Sequence, residues 1–429
     1  MKIAFVEPPS PWLVRKRAQV PIGPLYLLTI LKNAGHEVKL FRPDDVGELE
    51  QLKGSDVLMF SGTTLESPMV NNCAAAARII VKPKAIWYGG PHASAMAHSV
   101  GNSSLFDSIG VGEAESYILR MADDTENGTL RRIYWPVKST NVNTIPIPDR
   151  SIIEGSHGGD IFAFGENYDG VGHENVITAR GCPYACAYCS SQTLWHNQLY
   201  LRSAENVLEE ISNIVDLWGT KQIRFCDDHI AARKDRLVEL CNGFKELGIS
   251  WRCSVRADSL TPELCEIMAD GGCKEVSVGL ESGDQRVLDA LDKRATLDAA
   301  WTGCAAATAA GIKVRVLLMI GTPGEYQDTP EITCEFLEML NYHSLTLSTF
   351  IPLPGTPIWL NPEKYNCEIV TQDFRRYNRD FWVSDGHGGK EKRSYDPLIR
   401  NLQLTPEQQI DNVLRMETCV EESNKLNQG

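Results

Sequence analysis

The sequence predicts an α/β protein: a doubly wound unit, then a partial (β/α)6 barrel, then a short, mainly helical C-terminal region. Short apolar runs alternate with amphipathic stretches over residues 1–120 and again over 175–357, and the periodicity lapses between them. The length of 429 residues fits two or three domains, each large enough to bury a core. Hydrophobic and charged fractions of 43% and 23% exclude a disordered or collagen-like chain. The expected divisions are residues 1–135, an interdomain linker at 136–174, the barrel at 175–357 and the C-terminal region at 358–429.

In the first division Lys2–Val6, Glu37–Phe41, Val57–Ser61, Ala85–Tyr88 and Ser108–Val111 read as strands. The helix between the first two has Pro24 in its first turn, an apolar body Leu25-Tyr26-Leu27-Leu28-Thr29-Ile30-Leu31, and Gly35 as its stop. In such sheets ligands bind beyond the carboxyl ends of the strands. Small residues gather there: Ser61-Gly62-Thr63-Thr64, Gly89-Gly90-Pro91-His92 and Gly110-Val111-Gly112-Glu113. Asp123–Gly128 reads as a turn, and Ile145-Pro146-Ile147-Pro148 and Gly155-Ser156-His157-Gly158-Gly159 mark the linker.

The second alternation has strands at Val176–Ala179, Gln222–Cys226, Ser250–Val255, Glu275–Gly279, Lys313–Ile320 and Leu345–Ile351. Ser203 caps a helix whose Val207, Ile211, Ile214, Val215 and Trp218 share a face before Gly219 ends it. Thr261-Pro262 opens a second helix, and Thr296 caps a third that runs to Gly311. Six βα units fall short of a closed eight-stranded barrel, whose chemistry lies at the carboxyl ends of its strands. After Pro357 no strand series is evident, and Pro406–Asn424 reads as helix.

Composition narrows the function. Lys+Arg 42 against Asp+Glu 56 leaves a net charge of −14, which argues against a nucleic-acid partner. No apolar run approaches the ~18 residues of a bilayer span, and Met1–Val6 reads as a strand, so a cytoplasmic protein with no membrane partner is expected. The odd count of 13 Cys points to reduced thiols, some of them metal ligands, in place of a secreted disulfide framework. Directly after the first barrel strand comes Gly181-Cys182-Pro183-Tyr184-Ala185-Cys186-Ala187-Tyr188-Cys189. Three cysteines spaced C-x3-C-x2-C on one loop can face one point as thiolates. A closed zinc site needs four ligands, commonly from two knuckles, and the sequence has no second knuckle. Iron–sulfur ligation suits the set: three thiolates on a four-iron cluster leave one iron open for a substrate or cofactor.

That motif, with an aromatic before its last Cys, resembles the signature of radical S-adenosylmethionine (SAM) enzymes. The resemblance implies a 4Fe–4S cluster on Cys182, Cys186 and Cys189 whose open iron binds SAM, with Tyr188 presenting backbone atoms to the adenine. Further segments resemble the family's in order: Ile223-Arg224-Phe225-Cys226-Asp227-Asp228, Val255-Arg256-Ala257-Asp258, Val278-Gly279-Leu280-Glu281-Ser282-Gly283, Met319-Ile320-Gly321-Thr322-Pro323-Gly324-Glu325 and Pro352-Leu353-Pro354-Gly355-Thr356-Pro357. Asp227 and Asp228 suit the SAM ammonium, Arg256 its carboxylate, and Glu281 the ribose hydroxyls; Ile320 joins the expected SAM contacts. Each charge alone also reads as a solvated or capping group.

The first division then resembles the Rossmann-like (flavodoxin-like) cobalamin-binding domain fused to one branch of these enzymes. Val20-Pro21-Ile22-Gly23-Pro24-Leu25-Tyr26-Leu27, Ala34-Gly35-His36-Glu37-Val38, Gly89-Gly90-Pro91-His92 and Gly112-Glu113-Ala114-Glu115 carry the likeness. It implies cobalamin contacts from Pro8, Ser61, Thr63, Thr64, Leu65, Gly89, Gly90, Pro91, His92, Gly112 and Glu113. Histidine-ligating cobalamin proteins carry D-x-H-x-x-G where this chain has Glu7-Pro8-Pro9-Ser10-Pro11-Trp12, so the cobalt is expected to lack a protein histidine ligand. His92 reads as a loop residue near the corrin's tail.

Together the resemblances imply a cobalamin-dependent radical SAM C-methyltransferase that acts on an unactivated carbon of a small molecule or peptide, fed by an electron donor such as flavodoxin or ferredoxin. The alternatives are a non-methylating rearrangement, cyclisation or oxidation, and a non-catalytic cobalamin or metal sensor. Trp195 and Tyr168, with His157 in the linker, are the substrate candidates. The aromatic and basic stretch Phe374–Trp382 reads either as a lid over an anionic substrate or as a helix packed on the barrel.

Overall fold

The computed structural model describes residues 1–9, 20–136, 141–153, 173–377, 382–384, 390–392 and 395–427. The chain divides into two compact units, Met1–Gly172 and His173–Gly429.

The first unit is a six-stranded sheet in the order β2-β1-β3-β4-β5-β6, with β1 Lys2–Val6, β2 Glu37–Phe41, β3 Val57–Ser61, β4 Ala85–Gly89, β5 Ser108–Gly110 and β6 Ile133–Tyr134. Every pairing is parallel. Strand order reverses between β1 and β3, the switch point at which flavodoxin-like sheets bind ligands. The helix Ile22–Asn33 buries Leu25, Tyr26, Leu28 and Leu31. Two expectations change here. The helix Ile118–Glu126 continues through the segment read as a turn, because Ile118, Met121 and Ala122 are buried on one side of it and Gly128, at φ +70°, is where the chain reverses. The two-residue β6 adds a strand too short to leave a periodic signal.

In the second unit β7 is Glu174–Val176, followed by the small antiparallel pair β8 Ala179–Arg180 and β9 Tyr200–Leu201. Then come β10 Gln222–Phe225, β11 Ser250–Val255, β12 Cys273–Glu281, β13 Lys313–Ile320 and β14 Ser344–Thr349. The sheet runs β14-β13-β12-β11-β10-β7, all parallel. Its outer face is Val276, Val278, Val314, Val316 and Leu318, packed under helices whose N-termini are capped by Ser203, Thr261 and Thr296 as the sequence predicts. The C-terminal region ends in the helix Pro406–Asn427, and before it Cys367–Ile369 pairs antiparallel with Ile399–Asn401, and Trp382–Ser384 with Lys390–Lys392, so strands occur where the sequence shows no strand series. A disulfide joins Cys334 to Cys419 across 85 residues, an exception to the expected reduced thiols, because two packed helices bring the Cα atoms to 6.4 Å. Among the described residues no helix is long and apolar enough to cross a membrane.

Candidate functional site

The cysteine loop leaves the carboxyl end of β7 and is tied down on both sides. The Ala187 amide donates to the Leu291 carbonyl at 2.9 Å, and the Ala187 carbonyl accepts from the Ile358 amide at 3.2 Å. Gln192 Nε2 donates to the Cys186 carbonyl at 2.7 Å. Cys186 is buried, and Cys182 and Cys189 are half-buried. Burial pushes the Cys189 thiol up to about 12 and raises that of Cys182, so these two hold their protons until a cation takes the protons' place. No three His, Cys, Asp or Glu side chains among the described residues converge tightly enough for a single metal ion. A four-iron cluster spreads its thiolates wider than one ion does, and three thiols fixed on one loop are the donor set it needs.

Around the loop stand the charged residues named from the sequence, several of them committed to protein partners. Asp227 is buried and accepts from the Thr178 amide at 2.7 Å and hydroxyl at 2.5 Å. Burial raises its pKa to about 6. Asp227 therefore anchors the chain between β7 and the cysteine loop, and of the two acids only Asp228 is exposed, accepting from Ser191 Oγ at 2.6 Å. Arg256 forks onto Asp258 at 3.0 and 2.6 Å and stacks over Tyr184, its Cζ 3.8 Å from the ring centroid. Glu281 has φ +73° at a register shift of β12, and its Oε1 accepts from Tyr188 OH and Lys293 Nζ, each at 2.9 Å. A Cβ on Gly279 would lie 2.5 Å from Glu281 Oε1, so a side chain there would push the Glu281 carboxylate away from its partners. Ile320 is buried in the core, and its carbonyl accepts from the Phe350 amide at 2.8 Å.

Sequence reasoning missed three members of this edge. Lys293 is buried against Glu281 and Tyr188. His229 is buried with Nε2 3.0 Å from Ser259 Oγ and its ring 5.9 Å from Tyr184; burial lowers its pKa to about 4. Tyr184 lies between two of the cysteines, where its aromatic identity was the available signal. Trp195 is half-buried, edge-on to Tyr200 at 6.3 Å and 5.9 Å from Arg180. Tyr168 and His157 lie outside the described residues. In the aromatic stretch Phe374 packs on Trp359 and Tyr377, while Arg375 and Arg376 pair with Asp373 and Asp396, which suits packing better than an open lid.

In the first unit the loops named from the sequence meet beyond the carboxyl ends of β3, β4 and β5. The His92 amide donates to the Gly62 carbonyl at 3.1 Å, and His92 Nδ1 lies 3.2 Å from Thr64 Oγ1. Ser94 Oγ donates to the Gly90 carbonyl at 2.8 Å and accepts from the Gly112 amide at 2.9 Å. Gly90 has φ +86°, and a Cβ there would come within 2.2 Å of Ser61 Oγ. Thr63 is exposed, its amide donating to Glu66 Oε2 at 2.8 Å. Pro8, Leu65, Gly89, Pro91 and Glu113 are half-buried around the same edge. Burial lowers the His92 pKa to about 4, leaving a neutral imidazole turned to Thr64.

Comparison with known proteins agrees with both halves. Residues 176–337 match the radical SAM superfamily model. An uncharacterized methyltransferase of Pyrococcus horikoshii is 26% identical over 97% of this chain and 91% of its own length. The bacteriochlorophyllide d C-12(1)-methyltransferase of Chlorobaculum tepidum is 23% identical over 77% of this chain and 70% of its own. The structure of the radical SAM methyltransferase TsrM from Kitasatospora setae, with cobalamin and a [4Fe-4S] cluster bound, superposes with a TM-score of 0.72 at 14% identity, covering 99% of this chain and 89% of that one. Residues 176–337 thus carry a match to the radical SAM superfamily, and the chain is similar in fold, over nearly its whole length, to the cobalamin-bound radical SAM methyltransferase TsrM.

Proposed function

We propose that the protein is a cytoplasmic cobalamin-dependent C-methyltransferase that acts on an unactivated carbon of a small molecule or peptide. One observation carries the reading: a loop bearing three thiols at the carboxyl edge of a parallel six-stranded sheet follows, in the same chain, a flavodoxin-like unit with a glycine-built ligand edge. Cys182, Cys186 and Cys189 would hold the cluster, the edge around Tyr188, Asp228 and Glu281 would receive SAM, and the Ser61–Leu65, Gly89–His92 and Gly112 loops would receive cobalamin. When bound, these cofactors supply radical initiation and methyl transfer. The chain's own residues bind and orient: Lys293 holds Glu281 in place, Asp227 anchors the segment before the cysteine loop, and neutral His92 adds no charge of its own to the first edge. The cluster would be reduced by a flavodoxin or ferredoxin.

The reading is tested without knowing the substrate. Anaerobically reconstituted protein, loaded with cobalamin and reduced, is given SAM with a deuterated methyl group. S-adenosylhomocysteine together with a labelled methyl group on the retained cobalamin is the expected result. 5′-Deoxyadenosine without S-adenosylhomocysteine would point to a non-methylating radical enzyme, and neither product to a sensor.

A further inference from the structure

The sequence reads Arg256 as the partner of the SAM carboxylate, but in the structure its donors are engaged elsewhere. A guanidinium has five N–H groups in one plane. Nε and Nη2 take the two Asp258 oxygens at 3.0 and 2.6 Å, and Nη2 also reaches the Arg294 carbonyl at 3.2 Å. Nη1 donates to the Lys293 carbonyl at 3.1 Å and also to Cys186 Sγ, 3.8 Å from the nitrogen. Tyr184 supports the flat face of the group. Arg256 is 8% and Cys186 7% exposed. A cation is thus fixed by a carboxylate, two carbonyls and a ring, with one donor aimed at a sulfur.

From this we infer that Arg256 is a positioning residue that sets the reduction potential of the cluster through an N–H···S bond to Cys186 and its own fixed charge. The inference rests on the cluster assignment proposed above. An added electron increases the negative charge on the cluster sulfurs, so a donor and a cation beside one thiolate stabilise the reduced form more than the oxidised form. Low solvent access keeps that difference from being screened. Asp258 opposes it, and the two residues should therefore act on the potential with opposite signs.

Wild type, Arg256→Gln and Asp258→Asn are reconstituted with iron and sulfide, then titrated with dithionite and mediators while electron paramagnetic resonance reads the reduced cluster. Arg256→Gln should lower the reduced-to-oxidised ratio at fixed potential about tenfold, a shift of about 59 mV downward for a one-electron couple. Asp258→Asn should shift it upward. Equal potentials in all three proteins, or shifts of the same sign in both variants, overturn the inference. So does an Arg256→Gln protein that loses affinity for SAM, read by calorimetry, at unchanged potential, since that returns Arg256 to the carboxylate. Should Arg256→Gln fail to take up iron, Asp258→Asn decides by itself: an upward shift supports the inference, and no shift or a downward one overturns it. A wild-type protein that takes up no cluster overturns the underlying assignment, a distinct failure.

Discussion

The two edges proposed to take ligands are built by opposite means. In the first unit the edge is made of what is missing: Gly90, with no side chain to meet Ser61, and short hydroxyl residues that tie one loop to the next through Ser94. In the second unit the edge is crowded with charge that satisfies itself, Glu281 with Lys293 and Tyr188, Arg256 with Asp258, Asp227 with Thr178. A backbone-built edge admits a bulky ligand by shape. A self-paired charged edge fixes the local field before any ligand arrives, which is what electrostatic preorganisation requires.

If that contrast holds, damage to the second edge should cost most. Cys186→Ala should abolish cluster uptake and all SAM cleavage while leaving cobalamin binding intact, checked by iron analysis beside the cobalamin absorption spectrum. Lys293→Met leaves Glu281 buried without its cation, and breaking one side of a buried ion pair costs about 3–5 kcal/mol, read as a lower urea midpoint. The two edges share one trait, a buried neutral histidine, and acid titration should treat them alike. His92 and His229 have folded pKa values of about 4 against an ordinary 6.5. Between those values the unfolded chain binds more protons than the folded one, so stability is full above pH 6.5 and falls toward pH 4. The loss should approach about 3 kcal/mol for each histidine, and His92→Gln should flatten its share of the slope in denaturation series across pH. The smallest effect belongs to the first edge: Gly90→Ala should cost about 1–3 kcal/mol for the left-handed conformation together with the clash against Ser61 Oγ, and adding Ser61→Ala should restore the part due to the clash.

How far each edge could be read from sequence follows the same divide. Glycines and small polar residues at strand ends announce a backbone edge locally, and the loops at Ser61, Gly89 and Gly112 were legible for that reason. Ser250–Val255 and Lys313–Ile320 were legible to the residue, since caps and glycines bound their apolar alternation. The cysteine loop was legible because its spacing is its chemistry. Lys293 was not, because a lysine reads as solvent-facing and its burial comes from Glu281 and from Tyr188, 105 residues away. Asp227 and Arg256 were legible as charges at strand ends but not in their partners, which tertiary contacts decide. The Asp123–Gly128 segment misled because its own composition is polar, and the buried residues that hold the helix, Ile118, Met121 and Ala122, all precede it.

The most direct test of the account is metal content per chain after anaerobic reconstitution with iron, sulfide and cobalamin. It predicts about four iron and about one cobalt in the wild type, cobalt alone in Cys186→Ala, and iron retained with cobalt reduced in Gly90→Val. A wild-type chain that keeps only one of the two metals, or a Cys186→Ala chain that keeps its iron, would contradict it.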